Sequence, residues 1–501
     1  MRWPDVVARA ERWQLLLLAI LPAVWSTIVF ADWYFTDADS YYHVGVARRM
    51  LEDGWLRAFE WLPHTTLHDP FPDMYLLQHV VLAPLVAVFG PAMAMRLGVV
   101  LLSTAFAVSL TLVLRRRGVR WASPWVVLGL LACPIALTYA LFLKGATSFL
   151  VLLPWFVDAV WAGNRRRTFV LAWLSVYVYV GATVLVPFAL VHLLVVRAWH
   201  GRWEPACVVA AVAGVLAGMI VNPMWPAHWS YVAAELRSIF ERHPSMVPGE
   251  YRGSEWAMLQ ADILVRLCAA ALVAWGVLLV RQLGRAERVS AAGASGAVAA
   301  LGMLGAGMLS GTKMVELFVV FSILAVPVLA ADMRRWPRLV VAGALALGVA
   351  TAAWSVLDLR AQMQTMPGLA RAKDYEVMAT WLRARTGPRE MVVAPWDDMP
   401  GLFLFGGDQR YMAGVNVQFL RDHDRKRFEA YALLYRGLIS DPERAMGVFF
   451  DGARFLLVRR IAHFPGEPAL TAGLAANPAF EEVASPSQVW RVFKLKAPAP
   501  P

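Results

Sequence analysis

Acidic side chains are scarce in this sequence, and cysteines scarcer still. Of 501 residues only 36 are Asp or Glu, and only 17% are charged, where an ordinary soluble domain carries about 25%. The three cysteines, Cys133, Cys207 and Cys268, each lie inside an apolar run. A disulfide framework or a zinc site needs clustered spacing, and none is present. The formal charge of +11 falls in short basic clusters between apolar stretches, which reads as membrane topology and speaks against a nucleic-acid partner. No cleavage signature of small residues follows the first apolar run, so that run is expected to stay as a helix. Repeats of roughly 20–50 residues, the mark of solenoids and propellers, are also missing. What the sequence has instead is apolar length. Hydrophobic residues make up 59%, tryptophans number 22, and the mean hydropathy is +0.53. One aqueous core cannot absorb so much apolar surface, so lipid is the expected solvent.

A helix needs about 20 apolar residues to cross hydrocarbon, because each residue rises about 1.5 Å. Segments 13–31, 97–114, 121–141, 145–162, 205–222, 262–281, 291–309, 314–331 and 338–356 fit that need. Residues 76–90 are short and hold Pro84, and they are expected not to cross. Residues 168–197 are too long for one span, and Gly181 should split them into two short helices. Lys and Arg are retained on the cytoplasmic side. With Arg2, Arg9 and Arg12 inside, alternation also places Arg115 to Arg117, Arg165 to Arg167, Arg197 with Arg202, Arg281 with Arg285 and Arg288, and Arg334 with Arg335 and Arg338 inside. The expected fold class is an α-helical polytopic protein of the plasma membrane with about eleven spans (range roughly 10–13). Its membrane part would cover residues 1–356, with the N-terminus cytoplasmic. Loops 32–75 and 223–261, the turn at Lys144 and residues 357–501 would then lie on the outer face. In that last region, helix-like 372–386 alternates with strand-like 391–395, 454–458 and 489–495, which predicts a small α/β extracytoplasmic domain.

Candidate chemistry gathers on the outer side. Asp37 and Asp39 leave the first span, followed by Tyr41, Tyr42 and His43. Carboxylates at a membrane surface can bind a divalent cation or act as a general base, and they can equally cap the next helix. The stretch from His64 through His68, Asp69 and Asp73 to His79 fits a metal or phosphate role. It also fits a turn set by Pro70 and Pro72 whose polar residues face water, the preferred reading for His64 and His79; for Asp69 and Asp73 both stay open. Trp225, Trp229, Tyr231 and Trp256 read as interfacial anchors, while Glu250 and Glu255 belong to a solvated surface or to a closing loop. Lys313 and Glu316 stand one turn apart at an outer span end, either as an ion pair or with Lys313 on a lipid phosphate. Arg96 and Arg266 are rival cations for that phosphate. Trp396, Asp397 and Asp398 follow a strand, as acceptor contacts or as the cap of a helix starting near Met399. His192, inside a span, reads as a packing histidine.

An acidic residue followed by aromatics in the first outer loop resembles the GT-C glycosyltransferases, which use polyprenyl phosphate- or diphosphate-linked sugars. Within that class the chain is most similar to the catalytic subunit of oligosaccharyltransferase. There the loop carries Asp-x-Tyr and a short helix ending near a glycine, matched by Asp39-Ser40-Tyr41 through Gly54. The family's outer domain opens with Trp-Trp-Asp after a strand, which Pro395-Trp396-Asp397 resembles. The resemblance implies that Asp39 is the catalytic carboxylate or a ligand for Mg or Mn, and that Trp396 and Asp397 approach the acceptor. Asp37, Tyr41, His43, Asp69, Asp73, Glu250 and Glu255 would support them, and Lys313, Arg96, Arg266 and Lys144 would meet the donor phosphate. One departure matters. The family's second outer loop supplies an acidic pair, whereas here it reads LFLKGATSF, with Lys144 in the acidic position. A cation there would stabilise a departing phosphate directly. The expected reaction is inverting transfer of a sugar or oligosaccharide from a polyprenyl-linked donor to a glycan, lipid or protein acceptor outside the membrane. The alternatives are a transporter of lipid-linked sugars and a non-catalytic scaffold.

Overall fold

The computed structural model describes residues 13–14, 18, 20, 38–119, 122–131, 142–240, 290–310, 313–332, 370–461 and 466–496. After helix α1 (Ala38–Asp53) the chain forms α2 (Leu76–Phe89), α3 (Pro91–Arg116), α4 (Ala122–Leu131) and α5 (Gly145–Trp161). Then come α6 (Arg165–Val176), a 3-10 turn (Val180–Val184), α7 (Leu185–His200), α8 (Ala206–Val221) and α9 (Ala227–Phe240). A further pair is α10 (Ala291–Ser310) and α11 (Lys313–Asp332).

Composition explains the long elements. Helix α3 starts on Pro91, whose missing N–H costs nothing at the first position, and ends on Arg115 and Arg116, which complement its C-terminal dipole. Its 26 residues extend roughly 39 Å. Pro91–Arg116 and the run Val180–His200 are long and apolar enough to cross a membrane; Leu76–Phe89, Gly145–Trp161, Ala206–Val221, Ala291–Met303 and Val319–Leu329 are shorter apolar helices. The split expected within 168–197 is present, with the 3-10 turn at Gly181 separating α6 from α7. Large apolar side chains stay exposed along the outside of the bundle, among them Leu101, Leu190, Leu194, Val209, Leu216 and Ile220. Surface of that kind needs an apolar partner, and lipid is one. Segment 76–90 is helical too, and Val80, Val81, Val88 and Phe89 on it are exposed. Residues expected to span at 262–281 and 338–356, and most of 13–31, lie outside the described residues.

The bundle has two chemically distinct ends. Helices α3 and α5 both begin at one end, where Leu143 would meet a side chain added at Gly98. Both finish at the other, where Arg117 donates to Asp158 Oδ1 at 2.6 Å. Helix α11 returns antiparallel to α10, since Gly293 abuts Leu329 and Gly296 abuts Ala325. Gly296 also meets Trp161 at the end of α5, so Lys313, the first residue of α11, lies toward the α3 and α5 start. We call that end the lysine pole and the opposite one the arginine pole.

A C-terminal α/β unit sits at the lysine pole. Helix α12 (Ala372–Arg383) leads into β1 (Met391–Val393), α13 (Met399–Phe405), β2 (Arg410–Tyr411), α14 (Gln418–His423), α15 (Arg425–Tyr435) and α16 (Pro442–Val448). The remainder is β3 (Phe455–Arg459), α17 (Glu467–Ala476), β4 (Phe480–Val483) and β5 (Trp490–Leu495). The strands form one mixed sheet in the order β2-β1-β3-β5-β4. β1 pairs in parallel with β2 and β3, and β5 is antiparallel to β3 and β4. Three of the strands match the expected segments closely. β2 and β4 were not expected, because β2 has two residues and β4 carries Glu481 and Glu482 on an edge.

Helix α1 is the joint between bundle and sheet. Residues Ser40 to Ala47 are all buried, because α1 is enclosed by α2 on one side and α13 on the other. A Cβ at Gly45 would stand 2.6 Å from the Phe403 ring, so this contact requires glycine. Arg48 donates to the Leu404 carbonyl at 2.6 Å and Arg49 to the Gly407 carbonyl at 2.6 Å. The backbone continues the joint, with Tyr411 N–H donating to the Trp61 carbonyl at 2.8 Å.

Candidate active site at the lysine pole

Asp39 stands in the first turn of α1, where the helix dipole favours an anion. Its carboxylate lies 3.4 Å from Lys144 Nζ, and both side chains reach solvent, at 35% and 22% exposure. The pairing is built in by neighbours on three elements. Leu143 N–H donates to Ser40 Oγ at 3.1 Å, Gln78 Nε2 donates to the Leu143 carbonyl at 3.2 Å, and Ser148 Oγ donates to Gln78 Oε1 at 3.0 Å. Just after Lys144, a Cβ on Gly145 would fall 2.1 Å from the Tyr75 ring. The lysine that occupies the acidic position of the resemblance is thus clamped against the proposed catalytic carboxylate.

Behind this pair lies a buried chain of polar groups. Asp73 Oδ2 accepts from His79 Nδ1 at 2.8 Å, and His79 Nε2 lies 2.8 Å from His43 Nδ1. Asp73, His79 and His43 are at most 2% exposed. This corrects the turn reading, in which His79 faced water and Asp73 was left open. Asp69 does face solvent, and His64 bonds Asp451 at 2.5 Å on the α/β unit. Burial, then the neighbouring His79 and Lys144, holds the His43 pKa well below the usual histidine value, so its ring is neutral near pH 7. Tyr75 packs edge-on against His43 with ring centroids 4.7 Å apart.

His228 on α9 is fully buried, and neither ring nitrogen has a hydrogen-bond partner among the described residues. Burial pushes its pKa down to about 4, against the opposing pull of Asp73. Trp225 and Trp229 are exposed, consistent with interfacial anchoring. Tyr231 is not an anchor: it is buried and packs on Phe419 with centroids 5.4 Å apart.

On the sheet side, Asp398 is buried and does not cap α13. It accepts from Tyr375 Oη at 2.8 Å, Trp490 Nε1 at 2.8 Å and Arg459 Nη2 at 2.7 Å. Asp397 takes another Arg459 contact at 2.9 Å. Burial opposes the charge on Arg459, but Asp397 and Asp398 outweigh it and raise its pKa well above the usual value. Trp396 is 8% exposed and packs into the core of the α/β unit. The cap reading fails for Asp398 because a partner 61 residues downstream outcompetes the local backbone. Trp396 and Asp397 serve this packing, and Tyr375 carries it on to α1 through its ring contact with Tyr41 at 5.1 Å.

Arg96 lies on α3 near its start, and Lys313 opens α11; no side-chain position is described for Lys313. Asp37, Glu250, Glu255 and Arg266 lie outside the described residues. Among the described residues the donor set does not fit the Mg or Mn ion that the resemblance implies. Asp39 is engaged by an ammonium group, Asp73 by an imidazole, and no group of three His, Cys, Asp or Glu able to hold a metal occurs among the described residues.

The arginine pole holds a carboxylate the sequence reading passed over. Asp158, 2% exposed, takes Arg116 at 3.4 Å, Arg117 at 2.6 Å and Arg167 at 3.4 Å. His192 nearby bonds Ser295 Oγ at 3.0 Å, the packing role expected of it. A cavity of about 370 Å³ lies at this end, lined by Trp161, His192, His200, Arg202 and Cys207 among others.

The architecture matches known structures along nearly its whole length. ArnT from Cupriavidus metallidurans, in a crystal structure bound to undecaprenyl phosphate, aligns at TM-score 0.59 and 14% identity, covering 98% of this chain and 100% of that one. The Archaeoglobus fulgidus oligosaccharyltransferase in its apo form aligns at TM-score 0.57 and 11% identity, over 89% and 69%. The arabinofuranosyltransferase AftD from Mycobacteria aligns at TM-score 0.53 and 19% identity, over 97% of this chain but 42% of AftD. No protein-family model and no curated protein matches the sequence. At these identities the likeness is one of fold.

Proposed function

The chain has the GT-C fold that its first outer loop resembles, and from that premise we propose that it transfers a sugar from a polyprenyl-phosphate or -diphosphate donor to an acceptor at the lysine pole. The observation that carries this reading is the Asp39 and Lys144 pair, half-exposed and clamped where the apolar bundle meets the α/β unit. A carboxylate and an ammonium at headgroup depth are the two charges the reaction needs. The acceptor hydroxyl or amide attacks the anomeric carbon in line, its proton passes to Asp39, and the configuration inverts. The bond from the anomeric carbon to phosphate breaks, and charge develops on the leaving oxygen. Lys144 offsets that charge, as a cation held in place before the reaction begins. Arg96, Lys313 and Arg266 are further cations for the phosphate. No step runs through a metal. In the same reading the arginine pole faces the cytoplasm, since arginines are retained there. The lysine pole and residues 357–501 then face outward, with about eleven spans between the ends.

The test uses purified protein in lipid nanodiscs. Undecaprenyl phosphate binding is measured first. Transfer is then assayed from a panel of labelled polyprenyl-phosphate pentoses and hexoses into a membrane lipid and glycan extract. Transfer from at least one donor, abolished in Asp39→Asn with binding retained, supports the reading. Binding without transfer, together with movement of label across sealed vesicles, supports a transporter instead.

A further inference from the structure

Where four helices meet at the arginine pole, small residues leave a space. The cavity of about 370 Å³ is walled by the last turns of α5 and α7 and the first turns of α8 and α10, with Gly163 and Ala292 in its lining. That volume lies within the roughly 300–1,000 Å³ of small-ligand sites. Its wall is fixed at Ser295, whose Oγ accepts from Trp161 Nε1 at 3.0 Å and lies 3.0 Å from His192 Nδ1. Behind Trp161 stands the Asp158 cluster, with the Arg117 guanidinium 5.4 Å from the Trp161 ring centroid. Three guanidiniums meet one carboxylate there, so positive charge is in excess. At the rim Arg202 and Glu204 lie 3.9 Å apart and are 75% and 61% exposed, a pair too open to hold Arg202 in place. His200 beside them is exposed and brings a ring N–H donor. Arginines also cover the negative ends of the two helices that finish here: Arg117 donates to the Asp158 carbonyl and Arg197 to the Gly201 carbonyl. The charge at this mouth therefore favours an anion.

The surroundings say which anion. Leu194 on α7 and Val209 on α8 directly follow the lining residues Leu193 and Val208, and both are exposed apolar side chains. Trp203, in the loop between these helices, is exposed as well, and a tryptophan at the end of apolar helices marks headgroup depth. We propose that this cavity seats the headgroup of an anionic phospholipid, its phosphodiester against Arg202 and His200 and its acyl chains along α7 and α8. The occupant is a lipid of the surrounding bilayer, distinct from the polyprenyl phosphate proposed for the lysine pole. The seat does not depend on the transferase reading, since it lies at the opposite end of the bundle from Asp39. A lipid held there bridges loop 201–205 to the helices on either side of it.

The test uses the full chain, delipidated in detergent and titrated in native mass spectrometry with dioleoylphosphatidylglycerol, dioleoylphosphatidylcholine or inorganic phosphate. The expected result is phosphatidylglycerol bound at least tenfold more tightly than phosphatidylcholine, and not displaced by millimolar inorganic phosphate. Arg202→Glu alters an exposed loop residue, so the variant should fold, and it should weaken phosphatidylglycerol binding at least fivefold. Val208→Trp fills the cavity without changing charge and should do the same. Arg425→Glu makes the same charge change on the α/β unit, at a side chain 80% exposed, and should leave binding within twofold of wild type. Equal affinity for the two phospholipids overturns the proposal, as does wild-type affinity in Arg202→Glu or an equal loss in Arg425→Glu. Displacement by inorganic phosphate overturns it in favour of a free anion. If Val208→Trp does not fold, Arg202→Glu decides alone. Undecaprenyl phosphate binding to Arg202→Glu should match wild type; a parallel fall would give the cavity to the donor and overturn the phospholipid. Loss of turnover in Asp39→Asn bears on the transferase reading only.

Discussion

Two carboxylate centres stand at opposite ends of one helical bundle, and their surroundings differ in kind. At the arginine pole Asp158 is 2% exposed and meets three guanidinium groups. Arginine stays protonated at any working pH, so this centre is locked and its task is to hold α3, α5 and α6 together. At the lysine pole Asp39 meets one ammonium and stays 35% exposed, and the groups behind it are two histidines and a second carboxylate. The same fold thus gathers permanent positive charge in excess around a buried carboxylate at one pole and sets a balanced, part-exposed pair at the other.

The sharpest way to break this contrast is to remove each carboxylate in turn. Asp158→Ala leaves three part-exposed arginines without their partner and should cost about 1.5–3 kcal/mol of stability, read as a lowered denaturation midpoint in detergent. Transfer by the molecules that stay folded should persist. Asp39→Asn should do the reverse, with the midpoint nearly unchanged and turnover down about 100-fold or more, ~2.7 kcal/mol of transition-state stabilisation. If both substitutions acted alike on stability, the distinction between the poles would collapse.

A smaller effect separates the cations. Lys144→Ala should weaken undecaprenyl phosphate binding by about 1.5–3 kcal/mol, the scale of a charge-assisted hydrogen bond, and Lys144→Arg should keep part of it. Titration of Lys313→Ala beside it ranks the two lysines, and equal affinity of wild type and Lys144→Ala would remove Lys144 from the donor site.

The smallest expected effect lies on the α/β unit. Burial raises the Asp451 pKa, but hydrogen bonds from His64 and Arg427 outweigh it and bring it down to about 2. A lowered carboxylate pKa gives stability that is fully present above pH ~4 and is lost as pH falls through the folded value. At this exposed pair the change should stay under about 1 kcal/mol. Acid melts of His64→Ala against wild type should converge below pH ~2, where Asp451 is protonated in both.

The sequence disclosed the bundle because apolar length is a local property: α3, α5, α8 and α10 can each be read without knowing their neighbours. Asp39 was visible for a similar reason, as an acid followed by aromatics at the end of a span. Its partner was visible only as an oddity, Lys144 in an acidic position, since a contact across 105 residues leaves no local trace. His79 was misread as a turn residue, although its place in LLQHVVL, an otherwise apolar run, marked a polar group bound for burial and in need of a partner. Asp158 gave the same signal, an acid inside FVDAV between two arginine clusters. Asp398 gave none, because Arg459, Tyr375 and Trp490 reach it from three separate elements.

The central claim is that the lysine pole, and not the arginine pole, receives the lipid phosphate. A cryo-EM map of the protein in nanodiscs with undecaprenyl phosphate tests it most directly. The account predicts phosphate density within hydrogen-bonding distance of Lys144 Nζ, beside Asp39, with the polyprenyl tail running along the bundle. Phosphate density among Arg116, Arg117 and Arg167, with the Asp39 and Lys144 pair undisturbed, would contradict it.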